Sequence, residues 1–144
     1  MKVVPIGVGT AFGRRFFNTN LMFEFGNGGF LLVDCGITAS RSLETIGRSV
    51  LDVEHLFISH LHADHVGGVE ELALKARLVR GHRVKLYINR KLVDEFWQSI
   101  RAGIEFTQLG RLDLDDYFEV FLHDDAFRLN GITFSTYPTL HIEG

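Results

Sequence analysis

The chain has 144 residues, 46% of them hydrophobic and 23% charged, with a formal net charge of −3. That length predicts one domain with a sizeable core, and the balance excludes general disorder and a whole-surface basic field for nucleic acid. No apolar run approaches the roughly 18 residues of a membrane span, the first residues lack the apolar core and cleavage site of a signal peptide, and the single cysteine, Cys35, excludes a disulfide framework within one chain. A cytoplasmic protein that does not enter membranes is the expectation.

Residues 3–6 read as a short strand, followed by the glycine-rich loop Gly7-Val8-Gly9-Thr10-Ala11-Phe12-Gly13. Residues 21–25 and 30–33 read as two strands joined by a hairpin turn at Gly26-Asn27-Gly28-Gly29, residue types that tolerate positive φ. A helix is predicted over 37–50, with Leu43, Ile46 and Val50 on one face, then a strand over 53–59. The continuous apolar run Leu56-Phe57-Ile58 suits a strand covered on both faces. A second helix is expected over 67–79 and a strand over 83–88. Asn89 is a candidate cap for a third helix, whose Leu92, Val93, Phe96, Trp97 and Ile100 mark a broad apolar stripe. Residues 117–122 and 127–129 look extended, and after the turn signal Asn130-Gly131 residues 132–137 return. The order is mixed α/β, with helices packing on a sheet.

The chemistry concentrates in Ser59-His60-Leu61-His62-Ala63-Asp64-His65-Val66-Gly67-Gly68. This stretch begins where a buried strand is expected to end, the place where α/β sheets put their sites. If the chain stays extended, alternate residues point the same way, so His60, His62 and Asp64 face one space and His65 joins them as the next helix starts. Imidazole and carboxylate donors suit zinc, manganese or iron. A third imidazole is needed to hold one ion firmly, and His141, just past the last predicted strand, is the best candidate.

The run His60-x-His62-x-Asp64-His65, followed by Gly67-Gly68, resembles the signature of the metallo-β-lactamase-fold hydrolases. Asp34-Cys35-Gly36 after a hydrophobic strand resembles that family's Asp-x-Gly turn. The opening Gly7-x-Gly9-Thr10-Ala11 and the Asn20 region are similar to the ribonuclease Z-like branch, which contains phosphodiesterases. The resemblance implies an α/β, metallo-β-lactamase-like αββα sandwich whose amino-terminal half this chain supplies. It implies that His60, His62 and His141 bind a first metal, that Asp64 and His65 bind a second, and that Asp34 orients the ligands from behind. Zinc is the implied ion, with manganese or iron as alternatives. Asp64 is also placed to accept or orient the proton of the attacking water.

In that family a bridging aspartate and a last histidine follow the position of His141, whereas this sequence runs to Gly144. The expectation is therefore an amino-terminal half with one apolar sheet face in need of cover, completed by more chain or by association as a homo-oligomer, a dimer first. The expected activity is metal-dependent hydrolysis of a phosphate ester, at an RNA end or on a small or cyclic nucleotide. The acidic net charge favours the small ligand. Thioester, lactone or β-lactam hydrolysis is the alternative, as is an inactive fragment.

Other features are weighed in the same way. The glycine loop lacks the third glycine of a dinucleotide fingerprint, so it is either a tight turn or a substrate contact. Cys35 reads as a small buried hydrophobe. No Gly-x-Ser-x-Gly elbow occurs. His55, His82 and His123 read as structural or solvated. Lys75, Arg77, Arg80, Arg83, Lys85, Arg90 and Lys91 fall in a span free of acids, read either as a solvated face or as an anion-attracting patch.

Overall fold

The structure is a computed structural model and describes residues 1–139. Its centre is a six-stranded sheet in the order β1 (Lys2–Gly7), β2 (Asn20–Glu24), β3 (Phe30–Val33), β4 (His55–Ile58), β5 (Val84–Asn89) and β8 (Phe118–His123). The first two junctions are antiparallel and the last three parallel. Parallel neighbours need long crossovers. Here these carry α1 (Ala39–Thr45), α2 (Ala63–Val66), α3 (Val69–Leu74) and α4 (Val93–Ile104). A two-residue ladder of β6 (Phe106–Thr107) and β7 (Gly110–Arg111), and the single turn α5 (Leu114–Tyr117), lead into β8.

The helices lie on one face of the sheet. Leu32, Leu56, Leu86 and Phe118 from the strands meet Leu43, Leu72 and Phe96 from the helices in the main core. Phe96, Ile100 and Ile104 are spaced by four residues along α4, which aims all three inward. On the other face, Leu31 and Tyr87 form a second cluster with Phe127 and Leu129 of the hairpin β9 (Ala126–Leu129)–β10 (Ile132–Ser135). Its rings stack: Phe127 lies 4.7 Å from Tyr87, 5.3 Å from Phe57 and 5.1 Å from Phe134 between centroids. The sheet face expected to stand uncovered is thus covered in part by the chain's own hairpin. Phe121, on the edge strand of that sheet, remains exposed.

Several predicted boundaries move. The helix expected over 37–50 stops at Thr45, because Gly47 takes φ 73° and the backbone reverses there. Val50–Asp52 then forms a separate short 3₁₀ turn, capped by Ser49. Asn89 does not cap α4. Its side-chain oxygen accepts from Lys91 N at 2.9 Å one turn earlier, and its amide reaches the Asp124 carbonyl at 2.7 Å. Beyond Leu74, residues Lys75–Arg80 widen into a π-helical turn that ends at Gly81.

The acid-free basic span is largely engaged locally. Lys75 pairs with Glu71 at 2.6 Å, Arg80 with Asp52 at 3.4 Å and Arg90 with Asp124 at 3.5 Å, while Arg83 donates to the Asp115 carbonyl at 3.1 Å.

His123 closes β8 in a buried position, between Phe57 at 5.7 Å and Phe127 at 5.3 Å. Neither ring nitrogen has a hydrogen-bond partner among the described residues. Burial pushes its pKa down, against the opposing pull of the Asp124 backbone and the Asp124 and Asp125 charges. A folded-state pKa below the unfolded value near 6.5 means that the unfolded chain binds the proton first as pH falls, so this group's contribution is lost on acidification below that value. His123→Phe keeps the ring stack and removes the titration. Its midpoint in urea is expected to fall less than that of the unmodified protein between pH 7 and pH 5. An identical fall in both would exclude His123 as the source.

Candidate metal centre

The parallel pairing of β3 with β4 brings the ends of both strands to one edge of the sheet. Asp34 follows β3 with φ 62°, a left-handed conformation that aspartate adopts more readily than most residues. The conformation places its buried carboxylate under the loop after β4. Asp34 Oδ1 accepts from Ser59 N at 2.8 Å, and Oδ2 accepts from the Ser59 hydroxyl at 2.7 Å. Oδ2 also lies 2.7 Å from His65 Nδ1.

These contacts assign protons. A carboxylate only accepts, so His65 Nδ1 carries its hydrogen and Nε2 keeps its lone pair. The Ser59 hydroxyl gives its single hydrogen to Asp34. It therefore accepts from His60 Nδ1, 3.0 Å away, and His60 Nε2 also keeps a lone pair. One carboxylate thus sets the tautomers of two imidazoles, the first directly and the second through a hydroxyl. The bond from Asp34 raises the pKa of His65 against the effect of burial, with the Asp34 and Asp64 charges adding to the rise.

The four motif side chains do come together, though not by the expected alternation. The chain leaves its extended path at His62, whose carbonyl accepts from His65 N at 2.8 Å and Val66 N at 3.0 Å, and residues 63–66 form the single turn α2. Asp64 and His65 are therefore neighbours on a helical turn, and the strand-like reading fails from Ala63 onward. His65 Nε2 lies 3.5 Å from Asp64 Oδ2. The His60 ring lies 4.0 Å from that of His65 and 4.8 Å from that of His62.

Cys35 and Gly36 fix α2 in place. Cys35 N donates to the His65 carbonyl at 2.7 Å, and Gly68 N donates to the Cys35 carbonyl at 2.8 Å. A Cβ on Gly36 would collide with the Asp64 carbonyl oxygen, and one on Gly68 with the Gly36 carbonyl oxygen, so both glycines serve close backbone approach. Gly36 N is held by the buried Asn20 side chain at 3.0 Å, which in turn donates to the Asn18 carbonyl at 2.9 Å. Burial, aided by the Glu71 and Asp34 charges, pushes the Cys35 thiol up to about 12, so it stays protonated and is no nucleophile.

The donor chemistry fits a divalent ion such as zinc: two imidazoles with Nε2 lone pairs fixed, a third imidazole and a carboxylate at the same edge. Among the described residues, no three donors converge closely enough to enclose an ion. His141, the expected third imidazole of the first site, lies outside the described residues. Ser59 and Asn18 are the positioning residues that sequence reasoning passed over, and Asn20, noted there only for its resemblance, gains its role from the Gly36 contact. The signals for Ser59 and Asn18 are a hydroxyl directly before the first histidine and an asparagine two residues before Asn20.

The profile of the Anti-Pycsar protein Apyc1 family matches residues 1–144. The chain belongs to the Anti-Pycsar Apyc1 family. An Apyc1 protein of Paenibacillus xerothermodurans is 36% identical over 148 residues, covering 100% of this chain and 59% of the relative. One from Bacillus phage vB_BsuM-Goe3 is 36% identical over 150 residues, covering 98% and 58%. The chain thus spans about three-fifths of the length of these Apyc1 relatives.

Solved structures agree on the fold. A diphosphatase of the PhnP family superposes with TM-score 0.69 at 19% identity, over 92% of this chain and 55% of its own. The metallo-β-lactamase-fold protein YhfI of Bacillus subtilis gives 0.67 at 18%, over 89% and 48%. Human tRNase Z, short form, gives 0.62 at 24%, over 86% and 45%. The fold of this Apyc1 family member is metallo-β-lactamase-like. No helix among the described residues is long and apolar enough to cross a membrane.

Proposed function

We propose that this chain carries the metal-binding half of a metal-dependent phosphodiesterase acting on a small or cyclic nucleotide, with an RNA end as the larger alternative substrate. The observation that carries this reading is the double hook of Asp34, on His65 at 2.7 Å and through Ser59 on His60 at 3.0 Å. Such a hook is what a ligand set needs in order to present neutral imidazoles to an ion. His60, His62 and His141 are assigned to the first ion, and Asp64 and His65 to the second. Zinc is the ion that these donors suit best. Bound there, it would supply Lewis acidity to a water molecule and to a phosphoryl oxygen. Asp64 is assigned the part of orienting a water and taking its proton, while Asp34 and Ser59 hold the imidazoles. The fold itself serves both phosphoryl and acyl chemistry, since a diphosphatase, tRNase Z and the FEZ-1 metallo-β-lactamase of Legionella gormanii all share it, so the substrate comparison below decides between them.

The test is hydrolysis of bis-p-nitrophenyl phosphate by the zinc- or manganese-loaded protein, beside a thioester and a β-lactam. Turnover of the phosphodiester, falling to background in His62→Ala, is expected. Acyl substrates turned over in place of the phosphodiester would overturn the reading.

A further inference from the structure

The loop between β1 and β2 builds a second polar feature that the metal centre does not use. Gly7 and Gly9 let the returning strand lie directly on β1, because a Cβ at Gly7 would strike the Asn18 carbonyl and one at Gly9 would come within 2.6 Å of the Phe16 carbonyl. Gly9 N donates to the Phe17 carbonyl at 2.7 Å, and Thr19 N to the Gly9 carbonyl at 3.0 Å. This tight return turns residues 13–17 toward α1 and leaves a cavity of about 540 Å³, a volume typical of small-ligand sites. Its wall contains Arg14, Arg15 and Arg41, the ring of Phe16, and Thr38, and it contains no acid.

Among the described residues none of these three guanidiniums meets a carboxylate. The cavity at the opposite sheet edge differs: it is lined by Arg48, Arg80, Arg83 and Lys85 together with the acids Asp52 and Glu54, and Arg48 and Arg80 are ion-paired. Three unneutralised guanidiniums around one concavity repel one another and raise the local concentration of anions. Arginine's planar fork matches phosphate oxygens. Arg15 already lies over the Phe16 ring at 5.4 Å, which leaves a half-exposed aromatic beside the charges.

The cavity adjoins the metal-bearing turn. Gly7 pairs with Asn20, and Leu21 with Val33, so the β1–β2 loop leaves the sheet at the edge where Asp34 sits. Thr38, in the cavity wall, accepts from Asn18 N at 2.7 Å, and Asn18 packs against Gly36, which touches the Asp64 backbone.

We infer that the cavity formed by Arg14, Arg15, Arg41 and Phe16 is a binding site for a mononucleotide phosphate, separate from the metal-binding residues. The guanidiniums take the phosphate and the Phe16 ring takes the base. This goes beyond the hydrolytic reading and holds whether or not the metal centre hydrolyses anything.

The test uses the metal-free chain in chelator at low salt, titrated calorimetrically with AMP, inorganic phosphate and adenosine. AMP is expected to bind, phosphate to compete with it, and adenosine to give no heat. Arg15→Gln/Arg41→Gln is expected to weaken AMP at least about 10-fold with an unchanged melting temperature. The opposite-edge variant Arg83→Gln/Lys85→Gln should bind AMP as the unmodified protein does. If the double variant loses its fold, Phe16→Ala takes its place, with AMP weakened and inorganic phosphate unchanged. Absence of AMP binding without metal, equal binding of adenosine, or AMP affinity insensitive to the arginines would each overturn the site. None of these results bears on phosphodiester turnover, which is read separately with bis-p-nitrophenyl phosphate.

Discussion

Asp34→Asn is expected to weaken zinc binding by about 10–100-fold at pH 8, in line with the usual cost of losing a ligand's hydrogen-bonded carboxylate. The substitution preserves shape, and asparagine tolerates the positive φ at this position. What changes is the number of acceptors. Asp34 accepts from Ser59 N on one oxygen, and from the Ser59 hydroxyl and His65 Nδ1 on the other. An amide oxygen placed on the second side leaves its NH₂ facing the Ser59 N–H, donor against donor. Placed on the first side, it points the NH₂ at His65 Nδ1, which must then accept, and the His65 proton moves to Nε2, the nitrogen that the proposed site would offer to the ion. Competition against a chromophoric chelator measures the loss, and long-range ¹H–¹⁵N spectra of the imidazoles report the tautomer. An unchanged zinc affinity would show that Asp34 is only a structural tie.

The pH dependence of the same variant carries a second signature. Because Asp34 raises the His65 pKa, protons compete for His65 Nε2 from a higher pH than for an ordinary histidine. Zinc affinity of the unmodified protein should therefore begin to fall above pH 6.5 as the solution is acidified. In Asp34→Asn the fall should start lower. The variant is thus weaker at pH 8 and less sensitive to acid.

Gly36→Ala is the second large effect. The added methyl meets backbone on one side, the Asp64 carbonyl, and Asn18 Cβ at 3.0 Å on the other. Neither is the mobile end of a side chain, so the Asp34–Gly36 turn and α2 must separate. That separation strains the bonds from Cys35 N to the His65 carbonyl and from Gly68 N to the Cys35 carbonyl. A loss of about 3 kcal/mol or more in unfolding free energy is expected, at the upper end for overpacking a tight site. Urea unfolding gives this value. Gly26→Ala, where a methyl meets open space, is the matching control. A loss below about 1 kcal/mol would show that the two turns separate easily.

The strands of the main sheet and of the 126–135 hairpin were readable because each is a short apolar run closed by glycine, asparagine or a polar cluster, and the hairpin turn at 26–29 forms where its residue types predict. The two-residue β6 and β7, which carry no such run, were not read. That His60, His62, Asp64 and His65 would lie together was readable from their density in the sequence. The local path through the cluster was not. Nothing in His62-Ala63-Asp64 distinguishes two more extended residues from one helical turn, and the bonds that decide for the turn come from Cys35 and Gly68. Ser59 was invisible for the same reason, since its role exists only once Asp34, 25 residues earlier, lies beneath it. The acid-free run 75–91 left a solvated face and an anion-attracting patch both open, and the acids that pair with Arg80 and Arg90, Asp52 and Asp124, come from segments outside the run.

The donors His60, His62, Asp64 and His65 are nearly consecutive, whereas Asp34 lies 31 residues from His65 along the chain. A denatured chain therefore keeps those four side chains within a few residues of one another and loses the tie beneath them, along with the proximity of His141, the other residue assigned to the ion. A ligand that also binds the unfolded state stabilises the fold only by its preference for the folded one. The rise in melting temperature on adding zinc should consequently report what Asp34, Ser59 and the assigned His141 add to that short run of side chains, and will understate the total affinity for the ion.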